Sequence, residues 1–191
     1  MDAGKVDPKI HRINTIIGIA HRLFEQKGYE AVGIREICHA AGLSPTQLYR
    51  LGLTKQDLLA EVILRVNQEQ IDVIMPFSPT KAATVQKYIE DYLQKLYVSD
   101  IKIKSIRAEG AAFGWKWSDK YESLITKQVF QLLKPIADAL EHGGYDDIHA
   151  RCYLIWCLYY VGYRKAVMNN SSAQECIKEI KPSLMLCLSH K

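Results

Sequence analysis

Residues 34–50 read Ile34-Arg35-Glu36-Ile37-Cys38-His39-Ala40-Ala41-Gly42-Leu43-Ser44-Pro45-Thr46-Gln47-Leu48-Tyr49-Arg50, and this stretch decides the fold. Ile34–Ala41 has helical spacing and ends at Gly42, where a reversing chain takes a positive φ that a Cβ would oppose. Ser44-Pro45 restarts a helix at once. The serine oxygen can accept an orphan N–H, and the proline lacks the N–H that a first turn cannot satisfy. Two short helices joined by a tight Gly-containing turn form a helix-turn-helix layout. In that layout Thr46, Gln47 and Arg50 point outward while Leu48 faces the core. Small polar and planar side chains so placed suit base edges in a major groove.

Working outward, the periodicity stays helical and no convincing alternating strand is found. Asp7 caps and Pro8 opens a first helix that stops at Gly28, with Ile10, Ile13, Ile17, Ala20 and Phe24 as its apolar stripe. Thr54 opens a long helix with Asp57 at its positive end, striped by Leu58, Leu59, Val62, Ile63 and Val66 and running to about Met75. Ser78-Pro79 starts another, carried by Val85, Ile89, Tyr92, Leu93 and Leu96. Further helices are expected over Asp100–Trp115, Ser118–His142 with a bend at Pro135, Asp147–Met168 and Ser172–Ser189. The reading is all-α with about nine helices. It comprises an N-terminal three-helix helix-turn-helix domain over 1–53 and a helical bundle over 54–191, linked by the helix from Thr54.

Composition narrows the function. The 191 residues carry 25 Lys+Arg against 21 Asp+Glu, a net +4 that permits an anionic partner without demanding one. No charged-then-apolar leader follows Met1, and the longest uncharged apolar run, Cys152–Tyr163, is too short to cross a bilayer. Five cysteines without C-x-x-C spacing read as buried thiols in a reducing cytoplasm. Metal chemistry finds only Glu36-x-x-His39, an imperfect Asp146-x-x-His149, and the loose set His142, His149 and Cys152. A di-iron bundle needs Glu-x-x-His on two helices, with further carboxylates facing them. Zincin, Walker, nucleophile-elbow and dinucleotide motifs are absent, so no metal, cofactor or enzyme activity is expected.

The segment Ile13–Leu59 resembles the N-terminal domain of the TetR family of bacterial transcriptional regulators. The resemblance lies in Phe24-Glu25-Gln26-Lys27-Gly28-Tyr29-Glu30, in Ile34 to Ser44, and in Leu48-Tyr49-Arg50 followed by Thr54-Lys55-Gln56-Asp57-Leu58-Leu59. It implies that Arg35 reaches DNA from the second helix, that Pro45, Thr46 and Gln47 face the bases, and that Tyr49 and Lys55 contact phosphates. The segment offered to the major groove is Ser44–Arg50. Read alone, Tyr49 also fits a core aromatic, and Arg35 and Lys55 also fit a solvated surface. Where the family commonly has an aromatic pair after the Tyr-x step, this chain has Leu51-Gly52-Leu53. Leu51 or Leu53 must then fill the small core, and Gly52 is expected to loosen the junction. Gly33 is a weaker cap than the usual Ser or Thr.

Beyond Leu59 the resemblance implies only a helical ligand-binding and dimerising domain. The helix from Asp147 shows one apolar face in Ile148, Cys152, Ile155, Tyr159, Gly162 and Ala166, and another in Leu154, Leu158, Val161 and Met168. Two apolar faces need two things to pack against. Leu154, Leu158 and Val161, joined by Ile180, Leu184 and Leu188 of the last helix, are therefore expected to form a homodimer interface. Aromatics crowd the middle, and Trp115, Trp117, Tyr121, Trp156 and Tyr160 are expected to line a pocket for a small apolar or aromatic effector. The expected whole is a cytoplasmic repressor, binding palindromic operator DNA as a dimer and released by that effector. The alternatives are a dimer of the same fold that binds ligand or protein without reading an operator, and a helical-bundle metalloenzyme.

Overall fold

Asp7 accepts the Lys9 N–H at 2.8 Å and Pro8 follows it, so α1 begins where the sequence places its cap and runs Pro8–Lys27. In the computed structural model the described residues are 7–74, 76–78, 84–112 and 117–189, with only the backbone described at 111 and 112. The remaining helices are α2 Ile34–Ala40, α3 Pro45–Arg50, α4 Lys55–Asp72, α5 Val85–Lys102, α6 Lys104–Ala112, α7 Asp119–His142, α8 Ile148–Asn169 and α9 Ala173–Cys187. Among the described residues these nine helices are joined by turns and no strand occurs. The fold is all-α.

Several boundaries differ from the sequence reading, α4 among them, which ends at Asp72 ahead of the expected Met75. The expected helix from Asp100 is divided: α5 continues to Lys102, the Ile103 N–H bonds back to Asp100 O at 3.2 Å, and α6 starts at Lys104. No Gly or Pro marks this one-residue break, so periodicity ran through it. The helix expected from Ser78-Pro79 starts instead at Val85, where Thr84 accepts the Lys87 N–H at 3.1 Å. Pro79 lies outside the described residues, as do Trp115, the expected end of the following helix, and Met75, where the α4 pattern was expected to stop.

The chain folds as two compact units. One comprises residues up to Val66 together with Ser105–Leu124; the other comprises Asn67–Lys104 and Ile125 onward. In the first unit the core takes Ile16, Ile17, Ile19, Ala20 and Phe24 from α1, Ile37 and Cys38 from α2, and Leu58, Leu59, Val62, Ile63 and Val66 from α4. Ile10, expected in the α1 stripe, is half exposed in the first turn, and the buried face begins at Ile16.

In the second unit α5, α8 and α9 pack on one another. Ile89, Leu93 and Tyr97 of α5 meet Cys152, Ile155, Tyr159, Tyr163 and Ala166 of α8 and Cys176, Ile180 and Leu184 of α9 in one apolar cluster. Gly162 makes the close approach possible, since a Cβ there would collide with the Tyr97 hydroxyl and the Cys176 carbonyl. Asp100 is buried in this unit, accepting from the Gln70 amide and the Tyr159 hydroxyl. Of the five cysteines, Cys38, Cys152 and Cys176 are buried as expected, but Cys157 is exposed on α8.

Candidate nucleic-acid interface

The recognition segment is short, and its two ends are closed by specific hydrogen bonds. At the start, the Ser44 N–H donates to Gln47 Oε1 at 2.8 Å, and the Gln47 N–H donates to Ser44 Oγ at 3.3 Å. This reciprocal capping box satisfies two groups that a helix start otherwise leaves to water. At the end, the Gly52 N–H reaches Tyr49 O at 2.9 Å and the Leu53 N–H reaches Leu48 O at 3.4 Å. Gly52 has φ 77°. That pair of bonds around a left-handed residue is a Schellman termination, in which an apolar contact between the flanking residues is usual. Leu48 and Leu53 are both buried.

The Leu51-Gly52-Leu53 departure is thereby explained. Leu53 enters the core, Leu51 is half-buried, and Gly52 ends α3 sharply, where a looser junction was expected. Gly42 performs the same task at the end of α2, with φ 63° and the Leu43 N–H bonded to Cys38 O at 3.0 Å. Gly33 caps α2 without any side-chain bond. The turn between α2 and α3 is thus fixed by backbone hydrogen bonds around Gly42 at one end and by the Ser44–Gln47 capping box at the other.

With α3 so held, Ser44, Thr46, Gln47, Tyr49 and Arg50 are exposed and Pro45 is half-buried. Tyr49 is 55% exposed, which removes its reading as a core aromatic. Arg35 is exposed on α2. Lys55 opens α4, whose start is locked by Thr54 and Asp57: the Thr54 N–H donates to Asp57 Oδ2 at 2.8 Å, and the Asp57 N–H donates to Thr54 Oγ1 at 3.1 Å. Lys55 Nζ lies 4.1 Å from the centroid of the Tyr29 ring, so its ammonium is placed by a cation–π contact. Burial pushes the Glu109 carboxyl up, Glu30 adds to that rise, and Lys55 opposes it. The lysine charge is therefore within electrostatic reach of a carboxyl on α6. All eight expected DNA-contacting residues lie in the first unit, on α2, on α3 with its cap Ser44, and at the start of α4.

Sequence reasoning read Gln47 only as an outward side chain and missed its part in the cap, although the Ser-x-x-Gln spacing is itself the signature of a capping box. The metal motif does not assemble here. Glu36 accepts from Lys27 Nζ at 2.5 Å, His39 is exposed, and among the described residues no three His, Cys, Asp or Glu side chains are grouped to hold an ion.

Residues 16–62 match the family model described as bacterial regulatory proteins, tetR family. The chain carries the N-terminal domain of the TetR family. No curated protein matches the chain significantly. Solved structures extend the likeness to the whole fold. Salmonella enterica GusR is 16% identical with a TM-score of 0.66, over 97% of this chain and 99% of that one. A TetR transcriptional regulator from Rhodococcus sp. RHA1 is 18% identical with a TM-score of 0.64, over 93% and 94%. The transcriptional regulator FadR from Bacillus subtilis, in complex with stearoyl-CoA, is 16% identical with a TM-score of 0.62, over 93% and 98%.

Beyond this TetR-type domain the expected residues separate. Trp115 lies outside the described residues. Trp117 and Tyr121 belong to the first unit, and Trp156 and Tyr160 to the second, so neither unit alone assembles the expected aromatic set. Tyr121 is buried, and its hydroxyl donates to Glu61 Oε1 at 3.0 Å. Trp156 stacks on Tyr159 at 5.4 Å and meets Tyr160 edge-on at 5.2 Å.

The dimer expectation needs one correction. Leu154 and Val161 are more than half exposed and Leu158 is half-buried, as an outward face requires. Ile180, Leu184 and Leu188 instead lie within the core of their own unit, at 0–1% exposure. The α9 stripe was read correctly as apolar but assigned to the wrong neighbour: it packs on α5 and α8. Outward on α9 are Met185 and Leu186. No described helix is long and apolar enough to cross a membrane.

Proposed function

We propose that this chain is a homodimeric transcriptional regulator. It binds a palindromic operator in double-stranded DNA and represses transcription until a small apolar or aromatic effector releases it. One observation carries the reading: a six-residue helix closed by a capping box and a Schellman end, with Thr46, Gln47, Tyr49 and Arg50 all exposed. Exposed polar side chains on a rigid, short helix are what entry into a major groove requires. Thr46, Gln47 and Arg50 would address base edges, with Ser44 and Pro45 shaping the approach. Arg35, Tyr49 and Lys55 would hold phosphates, which position the protein without reading sequence.

The dimer reading is supported by Leu154 and Val161 on α8, which are more than half exposed in the single chain beside half-buried Leu158, with Tyr153 and Met168 of α8 and Leu186 of α9 exposed as well. Two copies related by a two-fold axis would present two α3 helices to a two-fold operator. The stearoyl-CoA bound to FadR supports an apolar effector for this fold. Trp156 and Tyr160 are the aromatic residues of the second unit that we assign to it. An effector releases DNA only if it favours a geometry that misplaces the recognition helices.

Selection of bound sites from random double-stranded DNA tests the reading. An enriched palindrome with half-sites near an integral number of helical turns apart is expected. Enrichment of nothing above background would leave a dimer without an operator.

A further inference from the structure

Helix α4 is gripped by more than the helix-turn-helix. Leu58, Leu59, Ala60, Val62, Ile63 and Val66 are all closed to solvent, a buried arc wider than one neighbouring helix covers. Within the first unit three other helices reach it. Arg65 Nη2 donates to Asn14 Oδ1 of α1 at 2.8 Å. Gly110 of α6 lies so close that a Cβ there would stand 2.7 Å from Ile63 Cδ1. The Tyr121 hydroxyl of α7 donates to Glu61 Oε1 at 3.0 Å. We propose that Tyr121 and Glu61 are positioning residues for DNA binding: their hydrogen bond fixes the angle of α4 and so the place of Lys55 at its start. This rests on the operator-binding reading above and deepens it.

The chemistry singles out this pair among the contacts to α4. Tyr121 is 4% exposed and Glu61 is half-buried, so the carboxylate needs a donor and the phenol supplies one. A hydrogen bond to a charged acceptor is about twice as strong as one between neutral groups. Lys120 Nζ also lies 3.8 Å from Glu61 Oε1, but that side chain is largely exposed and the ion pair adds little. Burial first, and then the Glu61 carboxylate, pushes the Tyr121 phenol up, so it stays protonated and remains the donor.

The bond sits where it has leverage. Lys55 lies six residues before Glu61, about 9 Å along the helix axis. A tilt of about 10° pivoting at Glu61 would carry the start of α4 by about 1.5 Å, more than the spread of good hydrogen-bond lengths. Without the hydroxyl, Glu61 keeps only Lys120 as a side-chain partner among the described residues. The carboxylate then turns to water and α4 samples other angles. Apparent affinity falls with the fraction of molecules in the competent geometry.

The test measures binding of the full-length protein to the operator that the wild type enriches, by fluorescence anisotropy well below the melting temperature. Tyr121→Phe keeps the ring and removes only the hydroxyl. It should bind at least about threefold more weakly. Glu61→Gln still offers an oxygen to the phenol and should stay within about twofold of the wild type. Glu61→Ala should weaken binding as Tyr121→Phe does, and combining the two should weaken it no further. Unchanged affinity in Tyr121→Phe, even with a lowered melting temperature, would mean that the hydroxyl only stabilises the fold and overturns the proposal. So does an equal further loss on adding Tyr121→Phe to Glu61→Ala, or a Glu61→Gln variant as weak as Glu61→Ala. Each of these leaves the regulator reading intact, whereas a wild type that enriches no motif overturns both.

Discussion

The Tyr159 hydroxyl donates to Asp100 Oδ2 at 2.6 Å, and both residues are all but closed to solvent. A carboxylate inside an apolar cluster is costly unless its oxygens are satisfied. The Gln70 amide donates to the other oxygen, while the Tyr163 hydroxyl donates to the Asp100 carbonyl at 3.0 Å. These bonds tie α4, α5 and α8 together within the second unit. Tyr159→Phe removes one donor and leaves a buried oxygen short of a partner. It should lower unfolding stability by about 1.5–3 kcal/mol, the range for hydrogen bonds to charged groups. Urea denaturation measures it, and a loss below about 0.5 kcal/mol would mean the hydroxyl is dispensable.

Two glycines separate backbone strain from crowding. At Gly52, φ is 77° and nothing lies within 4 Å of a built Cβ, so Gly52→Ala pays only for the left-handed backbone, about 1–2 kcal/mol. Gly52→Asn should recover part of that loss, because asparagine tolerates this conformation. Gly162 has the opposite character: it sits in regular helix, but its Cβ would strike Tyr97 and the backbone of α9. Gly162→Ala should cost about 1–3 kcal/mol by overpacking, and asparagine should rescue nothing there. Parallel thermal melts of the four variants distinguish these causes.

The contrast also shows what the sequence disclosed. Caps and stops are local chemistry, so Asp7-Pro8, Gly28, Gly42, Ser44-Pro45 and Thr54 mark their helix ends correctly from residue type alone. Faces of isolated helices were legible too, since Cys152, Ile155, Tyr159, Gly162 and Ala166 of α8 are all buried. Partner choice was not. The α9 stripe packs on its own unit because α5 covers it, and periodicity carries no address for the neighbour. Asp100 was read only as the start of the next helix. Its register after Leu93, Leu96 and Tyr97 places it on the buried face of α5, and that spacing is the signal that could have found it. The break at Ile103 has no local mark at all.

Alkaline stability should follow the buried tyrosines. Burial, with Asp138 adding to it, pushes Tyr88 from its ordinary value of 10.0 up to about 12. Burial moves Tyr92, Tyr97 and Tyr121 in the same direction. A raised pKa in the folded state means the unfolded chain releases its protons first. The contribution is therefore fully present below pH 10 and lost as pH climbs through the folded value, about 12 for Tyr88. Tyrosinate absorbance from these residues should rise together with the loss of helical circular dichroism. Ionisation of all the tyrosines with the helix signal intact would contradict their burial.

The outward face of α8 offers a direct test of assembly. Val161 is 55% exposed in the single chain, so Val161→Asp should leave the fold of the protomer intact and break a two-fold contact centred there. Sedimentation should show a wild-type dimer and a monomeric variant with unchanged circular dichroism. Cys157 is exposed on α8 in the single chain, so a thiol reagent should label it faster in the variant than in the wild type. Equal labelling rates with a persistent dimer would move the interface elsewhere.

Lys55 and Gln47 should fail in different ways. The Lys55 ammonium is held over Tyr29 at the start of α4, where a phosphate would meet both its charge and the helix dipole. Lys55→Ala should weaken binding to specific and random DNA alike. Each lost phosphate contact lowers the slope of log affinity against log salt by about 0.9, so a dimer losing two should show a slope shallower by about 2. Gln47→Ala should leave that slope unchanged and alter sequence preference, because a neutral amide addresses a base and neutralises no phosphate. Fluorescence anisotropy over a salt series measures both effects. An unchanged slope in Lys55→Ala would assign this lysine to the Tyr29 ring alone.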